Sequence, residues 1–150
     1  PRLRSGLGID VRIAAEARQV RRLAFIEGTI EQTLPALESE RFDLVLLISV
    51  LEHLAEPLWT LQECYRLLRP GGVMLINAPT WRGKWFLEFS AFRLGTSPAG
   101  EMDEHKMYYD VRDLWPMLVK AGFLPSGLDL RYHKFGLNLF VVAHRVESYG

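Results

Sequence analysis

The stretch Phe42-Asp43-Leu44-Val45-Leu46-Leu47-Ile48 constrains this fold more than any other part of the chain. After Asp43 every position is apolar, so both faces of the segment need cover, as in a central parallel strand. Pro57 suits the first turn of a helix. From there Leu58, Leu61, Tyr65 and Leu68 recur at helical spacing and predict one apolar face. Arg69 falls in the last turn, and Pro70-Gly71-Gly72 stops the helix. Val73-Met74-Leu75-Ile76 reads as the next buried strand, ended by Asn77-Ala78-Pro79. A strand, a helix and a strand in that order predict a parallel sheet.

The flanking sequence extends the same alternation. Gly6-Leu7-Gly8-Ile9-Asp10 reads as a short strand ending in a carboxylate, with Gly6 and Gly8 as strand glycines. Arg12 to Arg18 has the composition of a short helix. Leu23-Ala24-Phe25-Ile26 is a buried strand closed by Glu27-Gly28, and a turn or short helix follows through Pro35-Ala36-Leu37. Asp110 is placed to cap a helix over Val111 to Ala121, with Pro116 predicting a kink or a late start and Gly122 ending it. Two strands, about 126–132 and 137–144, are joined by Lys134-Phe135-Gly136 and predict a hairpin. The expected architecture is α/β, one domain over residues 1–150, with a mostly parallel sheet, helices on both faces and a C-terminal antiparallel hairpin.

Composition removes several classes. Hydrophobic residues make up 49% of the 150, enough for a core. The 18 basic and 18 acidic residues cancel, which argues against nucleic acid as a partner, since that needs a basic field. Cys64 is the single cysteine, so no internal disulfide can form. No apolar run approaches the roughly 20 residues of a membrane span, and no signal peptide is visible, so a cytoplasmic location is the expectation. The chain opens on Pro1, which suggests processing, trimming or a fragment.

Together, Phe42-Asp43-Leu44-Val45, then Ser49-Val50-Leu51-Glu52-His53-Leu54, then Leu67-Leu68-Arg69-Pro70-Gly71-Gly72 resemble class I S-adenosylmethionine-dependent methyltransferases of the type 11 group. Weaker similarity covers nearly the whole chain: Gly8-Ile9-Asp10 resembles the family's second strand and Phe25-Ile26-Glu27-Gly28 its third. The resemblance implies a Rossmann-like sheet with ligands at the carboxyl ends of its strands. It implies S-adenosylmethionine as cofactor, with Asp10 holding the ribose and Thr29 and Ile30 bordering the adenine. The family often has Asp where Thr29 stands, so that contact is expected to be weaker here. Ser49 and Val50 would line the sulfonium end, and the ends at Asp10, Gly28 and Ser49 are expected to share one crevice. The family's first strand and its G-x-G-x-G loop have no counterpart in front of Gly8, which reads as an N-terminal truncation.

Residues 80–110 are rich in aromatics, including Trp81, Trp85, Phe86, Phe89, Tyr108 and Tyr109, and lie where the family places substrate-capping insertions. They can wall an acceptor, pack as a lid or form a dimer interface. His105 is the first candidate for a general base and His53 the second, because imidazole titrates near neutral pH. His133 and His144 read as structural. Glu101, Asp103, Glu104 and His105 are too loosely spaced for a metal site, so none is expected. The expected activity is methyl transfer to a small-molecule, lipid or sugar-linked acceptor. Two rivals remain: a nicotinamide-dependent dehydrogenase, which Asp10 alone would fit, and a non-catalytic methyltransferase-like binding or dimerisation module. Uncovered strand edges leave a homodimer open.

Overall fold

In the computed structural model, residues 4–83 and 107–146 are described. They belong to two compact units, Pro1–Glu38 and Ser39–Gly150. The first is built on a parallel pair, β1 (Gly6–Asp10) and β2 (Leu23–Glu27), in register from Gly6 opposite Leu23 to Asp10 opposite Glu27. Gly8 lies opposite Phe25, and a Cβ on it would come within 2.7 Å of the Phe25 ring. The expected strand glycine is therefore a packing requirement. Residues 12–18 do not form the expected helix. A single 3-10 turn, Ala17–Gln19, stands there without a side-chain cap. Seven residues are under two helical turns, too few to recover the cost of nucleation in an exposed segment. After β2, Thr29 caps α1 (Ile30–Thr33) by accepting from the Gln32 N–H at 3.3 Å, and a 3-10 turn, Leu34–Ala36, follows.

In the second unit β3 (Phe42–Ile48), α2 (Pro57–Leu67), β4 (Leu68–Pro79), α3 (Val111–Ala121), β5 (Leu128–His133) and β6 (Asn138–His144) make a sheet of order β3-β4-β6-β5. β3 runs parallel to β4, and β6 is antiparallel to both β4 and β5. Three of the four strands therefore point one way, and β5–β6 is the expected hairpin. β4 is longer than the four residues its apolar run suggested, because pairing with β6 continues from Val73 to Pro79 and Leu68 pairs with Phe42. A register shift between Phe42 and Leu44 absorbs Pro70-Gly71-Gly72. At Gly72 a Cβ would sit 2.8 Å from the Arg69 carbonyl oxygen, so only glycine fits.

Met74, Ile76 and Ala78 of β4 and Leu139, Val141 and Ala143 of β6 are fully buried, as are Leu61 of α2 and Leu114 and Leu118 of α3. The buried face of α2 is Thr60, Leu61, Cys64 and Leu67, turned from the expected one. Tyr65 is at its margin, edge-on to Phe123 at 4.9 Å between ring centres. α3 begins at Val111 with a capping box between Asp110 and Asp113, and ends at Gly122 with φ 116°. Pro116 causes no late start. The carbonyl it leaves without an N–H partner is that of Arg112, an exposed residue, so it can reach water. β3 corrects one expectation. It is the edge of this sheet, and Leu44, Leu46 and Ile48 on one face are 45–55% exposed. Among the described residues no strand pairs with its outer edge, nor with the free edge of β1.

One side chain ties the α2 end to the sheet. The Arg145 guanidinium donates to the carbonyls of Leu68 and, at 3.2 and 3.4 Å, of Tyr65 and Arg66. It also pairs with Glu40 at 2.7 Å and stacks 4.8 Å from the Tyr65 ring centre. A cation at a helix C-terminus satisfies carbonyls that lack partners within the helix. Arg145→Met should lower unfolding free energy by about 1.5–3 kcal/mol, the range for hydrogen bonds to a charged group, measured by urea denaturation. A loss under ~0.5 kcal/mol, the scale of an ordinary surface change, would refute this role.

Candidate functional site

β1 ends at Asp10, and the chain turns sharply there. One Asp10 carboxylate oxygen accepts from the Arg12 N–H at 3.0 Å, so the aspartate does hold its own turn. That bond uses one oxygen of an exposed carboxylate with room for further donors. Beside it lies a hollow of about 350 Å³ whose lining includes Gly8, Asp10, Arg12, Ala14, Ala17 and Phe25. Small side chains open this space, and Gly8 lets the Phe25 ring lie against the strand. Val11, 68% exposed, adds an apolar edge next to the carboxylate. Thr29 lies beyond the end of β2, in the same unit, and its hydroxyl oxygen is occupied as the α1 cap. Ile30 follows it as the first residue of that turn.

In the second unit β3 ends at Ser49, a non-glycine residue with φ 54°. Its N–H donates to the Asn77 carbonyl at 2.9 Å, which prolongs the β3–β4 ladder by one bond. A left-handed serine costs roughly 1–3 kcal/mol and persists only where its surroundings fix it. Val50 follows, and Leu51–His53 forms a 3-10 turn. In that turn Leu51 and Glu52 are buried and His53 is exposed. His105 lies outside the described residues, as do Trp85, Phe86, Phe89 and the other positions of 84–106. Among the described residues no cluster of His, Cys, Asp and Glu could hold a metal ion, and no helix is long and apolar enough to cross a membrane.

Tyr109 is the residue that sequence reasoning placed in an aromatic stretch without a task. It is fully buried, its hydroxyl donates to the Leu51 carbonyl at 3.2 Å, and its N–H donates to the Pro79 carbonyl at 3.1 Å. The Met107 N–H donates to the Glu52 carbonyl at 3.3 Å. Residues 107–109 thus hold the turn after β3 against the end of β4. Burial, with the nearby Glu52 and Asp113 carboxylates, pushes the Tyr109 phenol up to about 12. His133, expected to be structural, has Nε2 2.7 Å from Asn77 Oδ1, so Nε2 carries the proton and Asn77 accepts. Its ring stands edge-on to Phe140.

For S-adenosylmethionine the fit can be tested on chemistry. An exposed carboxylate suits a ribose diol, and the small, largely apolar hollow beside it suits a neutral base. Arg12 in the same lining disfavours a sulfonium cation there. The hollow therefore matches the adenosine half of the cofactor.

Residues 8–76 match the family model of the methyltransferase domain. A ubiquinone biosynthesis O-methyltransferase of Cereibacter sphaeroides is 34% identical over 93 residues, which are 60% of this chain and 37% of that protein. One from Maricaulis maris is 30% identical over 107 residues, 69% of this chain and 39% of that protein. The chain thus spans less than two-fifths of the length of these curated relatives. Among solved structures, an S-adenosylmethionine-dependent methyltransferase from Archaeoglobus fulgidus aligns with TM-score 0.69 at 12% identity, over 92% of this chain and 75% of that one. An O-methyltransferase family protein from Burkholderia thailandensis gives 0.69 at 17% identity, over 96% and 44%.

Because the Tyr109 phenol is raised in the fold, its contribution is fully present below its ordinary value near 10 and is lost as pH rises toward about 12. Tyr109→Phe should cost about 1 kcal/mol at neutral pH, the net worth of one hydrogen bond, and should flatten the loss of stability between pH 10 and 12. Urea midpoints across that range check both effects. Over residues 8–76, which contain the strand–turn–helix pattern of residues 42–72, the chain is thus similar to the class I S-adenosylmethionine-dependent methyltransferases of the type 11 group.

Proposed function

We propose that this protein binds S-adenosylmethionine and transfers its methyl group to a small-molecule acceptor, with a hydroxyl as the favoured acceptor group. The observation that carries the reading is Asp10, an exposed carboxylate at a strand end beside an adenosine-sized hollow, inside the segment that matches the methyltransferase domain. The hydroxyl is favoured because the curated relatives are named as O-methyltransferases.

Roles follow residue by residue. Asp10 accepts from the ribose hydroxyls, and Thr29 and Ile30 border the adenine. Thr29 already caps α1, so only its remaining lone pair and its hydroxyl proton are left for the base. Ser49 and Val50 are assigned to the sulfonium end, where the fixed left-handed turn at Ser49 gives a rigid backbone wall. When bound, the cofactor supplies an electrophilic methyl group on a positively charged sulfur. The protein's share of the work is alignment of donor and acceptor and exclusion of water. A hydroxyl acceptor also has to lose a proton, and His105 is assigned as the base, with His53 second.

Asp10→Ala in the full-length protein should weaken binding of S-adenosylhomocysteine by at least about tenfold, the equivalent of one charge-assisted hydrogen bond, in a calorimetric titration. Unchanged affinity would overturn the ribose assignment, and a folded wild-type protein that binds no S-adenosylhomocysteine would favour a non-catalytic module. His105→Ala should lower kcat by about 10²-fold or more with little change in KM, and should remove the acid limb of the pH profile. If His53→Ala does this instead, the two histidines exchange roles.

A further inference from the structure

At the carboxyl end of the second unit's sheet, the β5–β6 turn carries an aromatic ring that the fold does not bury. Phe135 is 98% exposed. It stands in a run of three left-handed residues, with φ 49° at Lys134, 60° at Phe135 and 82° at Gly136. Two of the three carry a Cβ, which makes the turn costly, and no core contact of Phe135 offsets that cost.

The turn is nevertheless held firmly. Thr80, fully buried, donates its hydroxyl to the Gly136 carbonyl at 2.6 Å and accepts from the Gly83 N–H at 3.1 Å. Its own N–H donates to the Leu137 carbonyl at 3.0 Å. A Cβ on Gly83 would fall within 2.4 Å of that same carbonyl oxygen, so residues 80–83 sit directly against the turn. The exposed ring thus stands on a strained, braced support and is available for contact.

Beside this ring is a recess of about 360 Å³, lined by Arg82, Asp110, Tyr132, Phe135 and Gly136. Its two charged groups are not equivalent. Asp110 is engaged as the α3 cap, in the reciprocal box with Asp113. The Tyr132 hydroxyl accepts from the Val111 N–H at 3.4 Å, beside that cap. Arg82 lies over Gly136, where a Cβ would be 3.4 Å from its Nη1, and it makes no ion pair among the described residues. The recess therefore combines in one lining a planar cation, a half-exposed phenol and a fully exposed phenyl ring. Guanidinium binds a carboxylate or phosphate through two parallel hydrogen bonds, and the flanking rings favour a flat apolar body.

We propose that this recess binds a small aromatic molecule carrying an anionic group, with Arg82 on the anion and Phe135 and Tyr132 on the ring. On the reading given under Proposed function, that molecule is the methyl acceptor or a close analogue of it.

The test uses the full-length protein saturated with S-adenosylhomocysteine and titrated with benzoate, phenyl phosphate and benzyl alcohol. Benzoate or phenyl phosphate should bind at least tenfold more tightly than benzyl alcohol, and whichever is tighter identifies the anion. Arg82→Gln should weaken the anionic probe at least tenfold and Phe135→Ala three- to tenfold, while Arg69→Gln, at the opposite end of the sheet, should leave it unchanged. Equal binding of the neutral probe, or unchanged affinity in Arg82→Gln, would overturn the proposal. The S-adenosylhomocysteine titration on the same samples separates the two readings. Cofactor binding with no effect of Arg82 removes the recess alone. Benzoate binding that depends on Arg82, in a protein that binds no S-adenosylhomocysteine, removes the methyltransferase reading and keeps the recess.

Discussion

The parallel pairing of β3 with β4 sets the geometry on which the second unit depends. With Leu44 beside Val73 and Ile48 beside Asn77, β4 runs just two residues beyond the end of β3. Ser49 then closes the ladder onto Asn77, and the left-handed turn at Ser49 sends the chain into the Leu51–His53 turn. Tyr109 then bonds both the Leu51 carbonyl in the turn after β3 and the Pro79 carbonyl at the end of β4. Shifting β3 by one residue would carry Leu47 to the exposed face and separate these partners.

The two motifs that make the pattern recognisable also hold each other. Asp43 of Phe42-Asp43-Leu44-Val45 receives Arg69 Nη1 at 3.1 Å, and Arg69 Nε donates to the Glu40 carbonyl at 3.1 Å. Both side chains of the pair are largely exposed, so the ion pair itself contributes at most about 1 kcal/mol. Its use is to seat the helix exit over the start of β3, where the glycine at 72 allows the backbone to pass. These residues mark architecture, while the chemistry is assigned to the strand ends that the architecture aims.

Much of the fold was legible because the signals were local. An apolar run, a proline at the start of a helix, a glycine after its end and a three-residue hairpin turn each report on a few neighbours, and β3, the start of α2, α3 and β5–β6 stand where those signals put them, whereas α2 ends at Leu67 and the expected last-turn Arg69 and stop signal Pro70-Gly71-Gly72 lie in β4. The errors came where distant contacts decide. The α2 face turned toward Cys64 because β4 and α3 pack there. β4 lengthened because β6 pairs with it. The segment 12–18 stayed irregular because composition alone does not nucleate a helix. Asp10 was legible from its place at a strand end. Tyr109 and Arg145 were not, since their partners lie 58 and 80 residues away at Leu51 and Tyr65.

The uncovered side of β3 has a practical meaning of its own. Leu44, Leu46 and Ile48 present three half-exposed aliphatic chains along a strand whose outer hydrogen-bonding groups meet no neighbour among the described residues. Such an edge is a template for adding further strands, from the same polypeptide or from another molecule. Residues 39–150 prepared without cover for that side would therefore tend to self-associate, and a charged residue at position 46 would act as a gatekeeper against it.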